Sequence, residues 1–369
     1  MRVLLAGGGT AGHIEPALAT AEALRRADPG TEVRLLGTAR GLETRLVPAR
    51  GWALDLIEPV PLPRRPSADL LRLPGRLRCA VREVRRVLVD HSIDVVAGFG
   101  GYVALPAYLA ARHRLPLVIH EANARPGLAN RVGAHWATTV ATAGSSRLRG
   151  AITIGMPLRR SIADCDRGAA RADSRRQFGW DDSRPVLLVT GGSQGAQRLN
   201  QALAAALPRL LGHGVRVLHV TGTANYEGVQ ADAAAAGIVD DGYRPVPYVD
   251  DMSVAYAAAD LIVCRSGMMT VAETTTVGLP AIYVPLPIGN GEQRLNAAPV
   301  AAAGGATIVD NVELTGDRLL NEVWPLIADP QRLAVMGRAS AGLGRRDADD
   351  RLAALITAAA AHRPKGGRS

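Results

Sequence analysis

Short apolar runs alternate along this chain with segments whose apolar residues recur at helical spacing. Arg2-Val-Leu-Leu-Ala6 ends in Gly7-Gly-Gly-Thr-Ala-Gly12, and Ile14, Ala17, Leu18, Ala21 and Leu24 follow, which reads as strand, glycine turn and helix. Further strands are expected at 32–36, 93–97, 117–120 and 138–141, with helical segments between them, notably 105–112. After Pro157 the scheme restarts: strand 185–190, glycine turn Gly191-Gly-Ser-Gln-Gly195, a helix from Ala196, and strands near 215–220, 261–264 and 281–284. Alternating β and α predicts parallel sheets covered on both faces. The fold class is therefore α/β, two Rossmann-like doubly wound domains facing a cleft. The domains are expected at 1–157 and 158–346, joined where a strand-like 151–154 meets Gly155-Met-Pro157, with a last helix and frayed tail over 347–369. Ligands of such folds bind at the C-terminal ends of the strands, and glycine turns in both halves predict one that carries phosphate.

The 369 residues, 47% hydrophobic and 21% charged, suit two globular domains and exclude a disordered or fibrous chain. No apolar run reaches the ~18 residues of a spanning helix. Met1 to Ala6 is too short for a signal segment, so a cytoplasmic protein is expected. Cys79, Cys165 and Cys264 are odd in number and far apart, which argues against a disulfide framework or a zinc site. The net charge of +9 has a location: up to Pro157 there are 21 basic and 12 acidic residues, and beyond it 22 of each. The excess peaks at Arg64, Arg65, Arg72, Arg76, Arg78, Arg82, Arg85 and Arg86, predicting an anionic partner for the first half. With only 4% aromatic residues, a stacking platform for single-stranded nucleic acid is not expected.

Gly7-x-Gly9-x-x-Gly12 matches the dinucleotide fingerprint, but Gly37-Thr38-Ala39 stands where a dehydrogenase offers an acidic residue to the ribose. That weakens an NAD-dependent oxidoreductase and leaves an anion-binding helix start. His13 opens that helix; the positive dipole end favours its neutral form, and from position alone it reads equally as general base or cap. Glu15 is expected to complement the dipole. Phe99-Gly-Gly-Tyr102 and His120-Glu-Ala-Asn123 follow strands and should reach the rim of His13, with Tyr102 able to stack on a ring, Asn123 to bond a hydroxyl and Glu121 to orient a neighbour. In the second half, Ser193 and the surrounding glycine amides form another anion cradle, and Arg159 can neutralise a diphosphate. Glu273 can take two ribose hydroxyls, and Gln293 and Asn296 in the loop opened by Gly289-Asn-Gly offer amides to a sugar.

Taken together and in order, Gly8-Gly-Thr-Ala-Gly-His13, Gly98-Phe-Gly-Gly-Tyr102, His120-Glu-Ala-Asn123, Gly191-Gly-Ser-Gln-Gly195, Arg265-Ser-Gly267 and Gln293-Arg-Leu-Asn-Ala297 resemble one family over nearly the whole chain. It is that of the bacterial glycosyltransferases adding N-acetylglucosamine to undecaprenyl-pyrophosphoryl-N-acetylmuramyl-pentapeptide, lipid I to lipid II, in peptidoglycan synthesis. The resemblance implies a GT-B fold, an acceptor site in the first domain and UDP-N-acetylglucosamine held mainly by the second. It puts donor-binding residues at Thr10, Ala11, Gly12, Asn123, Arg159, Ser193, Val249, Met268, Met269, Thr270, Val271, Ala272, Glu273 and Gln293. Glu273 matches the ribose carboxylate and Val249 the residue whose backbone holds uracil, while Tyr102 and Asn130 fall on the acceptor side. The family more often has Gly at position 11 and Gln at 122; Ala11 keeps the loop's shape only at negative φ, and Ala122 is assigned no role.

The mechanism expected is inverting displacement by the muramyl 4-hydroxyl, with His13 the first candidate base and Glu121 the second. No cofactor is implied, and no carboxylate cluster has metal-ligand spacing. Leu70, Leu71, Leu73, Leu77, Val81, Val84, Val87 and Leu88 interleave with the arginines, so this basic helix is expected to rest an apolar side on the anionic cytoplasmic leaflet as a peripheral attachment, the alternative being that its aliphatics are core. Another sugar transferase or a UDP-N-acetylglucosamine epimerase on the same plan is the nearest rival.

Overall fold

The structure, a computed structural model, describes residues 1–60, 69–192, 196–238, 242–287 and 291–362, with the side chains of 69–72 left aside. The Arg363 to Ser369 tail lies outside them. Contacts divide the chain into Met1–Arg159 with Asp347–Ser369, and Arg160–Arg346.

The first unit holds a parallel sheet of β1 (Arg2–Gly7), β2 (Glu32–Gly37), β3 (Ala53–Leu56), β4 (Val95–Gly100), β5 (Leu117–Glu121), β6 (Thr139–Thr142) and β7 (Ile152–Thr153), in the order 3-2-1-4-5-6-7. Its central strands are apolar at nearly every position because helices cover both faces: Val3, Leu5, Val95 and Val118 pack on one side, Leu4, Val96, Leu117 and Ile119 on the other. The second unit repeats the plan with β8 (Val186–Thr190), β9 (Arg216–Val220), β10 (Tyr243–Val246), β11 (Leu261–Cys264), β12 (Ala281–Tyr283) and β13 (Ala306–Ile308), in the order 10-9-8-11-12-13. The order reverses between β1 and β4, and again between β8 and β11, so each unit has one switch point where two strand ends diverge.

Three strands have no counterpart in the sequence reading: β3, β10 and β13. All are short sheet edges, half exposed in the case of β3 and β10, and so lack a continuous apolar run. The helix expected at 105–112 forms at Ala104–Ala111. The last helix, Ala348–Ala361, belongs with the first unit, where Leu352, Ala353, Ile356 and Ala359 join Ile14, Ala17, Leu18 and Ala21 in one core. Arg26 of the helix Ala11–Ala27 fastens it by pairing with the buried Asp349 at 2.6 Å and with Asp350 at 2.9 Å.

Candidate functional site

In the first unit the turns that leave β1 and β4 press together. A Cβ at Gly101 (φ +83°) would run into the Gly8 carbonyl, and one at Gly7 would stand 2.6 Å from the His13 carbonyl. Gly100 (φ +100°) leaves room for the His13 ring, since a Cβ there would lie 3.0 Å from Nε2. Thr10 Oγ1 lies 3.1 Å from His13 Nδ1, and the Thr10 carbonyl accepts the first amides of the helix. Ala11 sits inside the helix at negative φ, so its methyl costs the turn nothing. Burial lowers the His13 pKa below the usual histidine value, opposed by the charge of Glu43 and by the Gly8 carbonyl, so the ring is neutral and basic near pH 7.

Glu121, buried at the end of β5, is an organiser of its loop. Oε1 accepts the Asn123 N–H at 2.8 Å, and Oε2 accepts the Gly127 N–H and Asn130 Nδ2, both at 2.9 Å. Burial raises its pKa, but both oxygens are engaged by donors, which suits a group that shapes the loop better than one that takes a proton from solvent. Asn130, expected on the acceptor side, is itself buried and accepts the Tyr108 hydroxyl at 2.7 Å, so it supports the rim from beneath. Tyr102 is the exposed ring, at 51%. Glu15 does not serve the helix dipole: it is buried in the second turn, pairs with Arg50 at 3.0 Å and lies 3.4 Å from Arg159 Nε.

In the second unit Gly192 takes φ +82° after β8, whereas Ser193, Gln194 and Gly195 lie outside the described residues, as do Gly289 and Asn290. The helix Met268–Thr276 starts directly beyond β11, with Met268, Met269, Thr270 and Ala272 partly exposed and Val271 buried. Glu273 is buried on it and accepts the Tyr256 hydroxyl at 2.6 Å. Gln293, partly exposed, accepts the Leu286 N–H on its Oε1 at 2.9 Å. Asn296 is turned inward, donating to the Ser266 carbonyl at 3.3 Å, and is not placed to meet a sugar. Val249 is half buried in the loop after β10.

Residues missed in the sequence are those that hold others: Glu43, Tyr108 and Tyr256. Glu43 follows a second glycine turn, Gly37-Thr-Ala-Arg-Gly41, which was the available signal; the tyrosines carry none. The arginine helix, Asp69–Asp90, corrects an expectation. Ala80, Val84 and Leu88 are buried in their own domain, with Leu73, Leu77, Val81 and Val87 packed against that core, so the apolar side faces inward because the adjacent sheet face needs a cover. Arg76, Arg78, Arg82, Arg85 and Arg86 point outward. Arg64 and Arg65 lie outside the described residues, and the side chains of Leu70, Leu71 and Arg72 are among those left aside.

Two family models match the chain, the glycosyltransferase family 28 N-terminal domain over residues 3–142 and its C-terminal domain over 186–352. This chain belongs to glycosyltransferase family 28. It is 57% identical over 365 residues, 98% of this chain and 99% of the relative, to the UDP-N-acetylglucosamine--N-acetylmuramyl-(pentapeptide) pyrophosphoryl-undecaprenol N-acetylglucosamine transferase of Acidothermus cellulolyticus. It is 56% identical to the enzyme of the same name from Streptomyces coelicolor, over 99% of this chain and 100% of that one. Among solved structures, Acinetobacter baumannii MurG superposes with a TM-score of 0.76 at 30% identity, covering 97% of this chain and 99% of its own. The family 28 chain is thus a glycosyltransferase with two parallel-sheet α/β domains of the GT-B kind.

Proposed function

We propose that this glycosyltransferase moves N-acetylglucosamine from UDP-N-acetylglucosamine to the muramyl 4-hydroxyl of undecaprenyl-pyrophosphoryl-N-acetylmuramyl-pentapeptide, inverting the anomeric carbon. The observation that carries this is 57% identity sustained over 98% of the chain with an enzyme of that name. The site agrees in chemistry. His13, neutral at the head of its helix, accepts the proton of the attacking hydroxyl. Arg159 and the helix starts after β8 and β11 stabilise the departing diphosphate. Glu273 takes the ribose, Gln293 the sugar, Val249 the uracil, and Tyr102 lies on the acceptor side.

Among the described residues no helix is long and apolar enough to cross a membrane. The lipid-linked acceptor is reached instead by electrostatic attachment of the outward arginines of Asp69–Asp90 to an anionic cytoplasmic leaflet.

The test is transfer of labelled N-acetylglucosamine to a lipid-linked muramyl-peptide acceptor by the native protein and by His13→Ala. Transfer that falls roughly 10²–10⁴-fold in the variant, with UDP binding retained, is expected. A native protein that binds the UDP-sugar yet transfers nothing to this acceptor overturns the acceptor assignment.

A further inference from the structure

Glu43 is a carboxylate with no exposed surface, and it is not among the residues that meet the donor or the acceptor in the proposed reaction. It opens the short helix Glu43–Ala49, one turn beyond the end of β2. Its Oε1 accepts both the Thr38 N–H at 2.8 Å and the Thr38 hydroxyl at 3.0 Å, and its Oε2 accepts the Gly9 N–H at 3.0 Å. Three glycines make room for it. A Cβ at Gly8 would stand 2.8 Å from Oε1, one at Gly37 would strike its Cγ, and one at Gly41 would overlap the carboxylate itself. Two chain segments have therefore given up side chains around one acid, whose three donors all point at it. Burying a carboxylate is costly unless such donors satisfy it, so the contacts and the glycines form one device.

The device ends at His13. The Gly8–Gly9 peptide is fixed from below by Glu43, and its Gly8 carbonyl packs on Gly101, whose neighbour Gly100 lies against the His13 ring. We propose that Glu43 is a positioning residue for the transfer: it fixes the Gly8–Gly9 peptide, and through it the ring of His13, without touching substrate. The inference rests on the reading of His13 as the base.

Full-length Glu43→Gln, Gly41→Ala, Glu43→Ala and the double variant Gly41→Ala/Glu43→Ala test it. The amide of Glu43→Gln turns donors toward donors, whereas Gly41→Ala keeps the charge and only displaces it. Both are expected to lose about 10- to 100-fold in kcat. The KM for the UDP-sugar should rise by a smaller factor than kcat falls, since the proposed ribose and uracil contacts, Glu273 and Val249, lie in the other domain and only Thr10, Ala11 and Gly12 adjoin the displaced peptide. In Glu43→Gln the Gly9 amide proton should move upfield by NMR as its bond is lost. Gly41→Ala should cost nothing further in the Glu43→Ala background, because the clash is gone. Native kcat in Gly41→Ala and Glu43→Gln, or an equal further loss in the double variant, overturns the proposal. Failure of the base reading is separable: a fully active His13→Ala removes that role, while the Gly9 shift still reports whether Glu43 holds the loop.

Discussion

Tyr256 donates its hydroxyl to Glu273 at 2.6 Å, and both side chains are buried in the second domain. Burial and the neighbouring carboxylate push the phenol well above its ordinary range, so it remains a donor at any working pH. A hydrogen bond to a charged group contributes about 1.5–3 kcal/mol. Tyr256→Phe should loosen the hold on the carboxylate, raising the KM for the UDP-sugar roughly tenfold with kcat at saturation nearly unchanged. Competition between UDP and 2′-deoxy-UDP checks the cause, because the preference for the ribose should shrink in the variant; an unchanged preference would detach Tyr256 from ribose selection.

His13 titrates below the ordinary histidine value of about 6.5, burial outweighing Glu43 and the Gly8 carbonyl. The base form then predominates at neutral pH, and kcat/KM should fall on the acid side through one protonation with a midpoint under 6.5. His13→Ala should lower the plateau and abolish that limb. An acid limb that persists in the variant would belong to another group.

The outward arginines of Asp69–Asp90 predict binding to anionic vesicles that weakens with salt. Each basic residue near such a surface contributes about 1 kcal/mol. Reversing Arg82, Arg85 and Arg86 to Glu should lower vesicle affinity at least 100-fold, while turnover of a short-chain soluble acceptor is preserved. Equal sedimentation of native and reversed protein with phosphatidylglycerol vesicles would rule out this face.

Two buried histidines predict acid sensitivity. His120 donates its Nε2–H to the Gly155 carbonyl at 2.9 Å, and His219 bridges Asn200 and Tyr243; burial lowers both to about 4. Since the unfolded state binds these protons near pH 6.5, stability is complete above that pH and is lost as pH falls from 6.5 toward 4. The slope is about 1.4 kcal/mol per unit for each ring, or roughly 3 kcal/mol each in all. Urea unfolding at pH 7.5, 6 and 5 reads this directly, and a flat profile would mean the rings are not held neutral.

Much of the site was legible because its chemistry follows local signals. Glycine turns after β1, β4 and β8 stand out in a sequence, and polar residues at strand ends mark a rim in a parallel sheet. What each side chain does there was less legible. The sequence marks Glu121 as a second candidate base but carries no sign that its oxygens accept hydrogen bonds from Asn123, Gly127 and Asn130. Position on the helix assigns Glu15 to the dipole and the glycine-opened loop assigns Asn296 to a sugar, whereas the fold pairs Glu15 with Arg50 and turns Asn296 toward the Ser266 carbonyl.

By itself the sequence determined the alternation of strands and helices, the restart after Pro157 and the glycine turns at the strand ends, since these depend on periodicity and on backbone freedom within a few residues. Only the tertiary structure decided that Ala348–Ala361 returns to the first unit, that the arginine helix turns its aliphatics inward, and that Glu43 and Tyr256 stand behind the His13 loop and Glu273. Those contacts join residues 17 to 323 positions apart. Burial against a partner that distant leaves no period in the chain; it follows from which faces the folded sheets leave uncovered and which buried charges need donors.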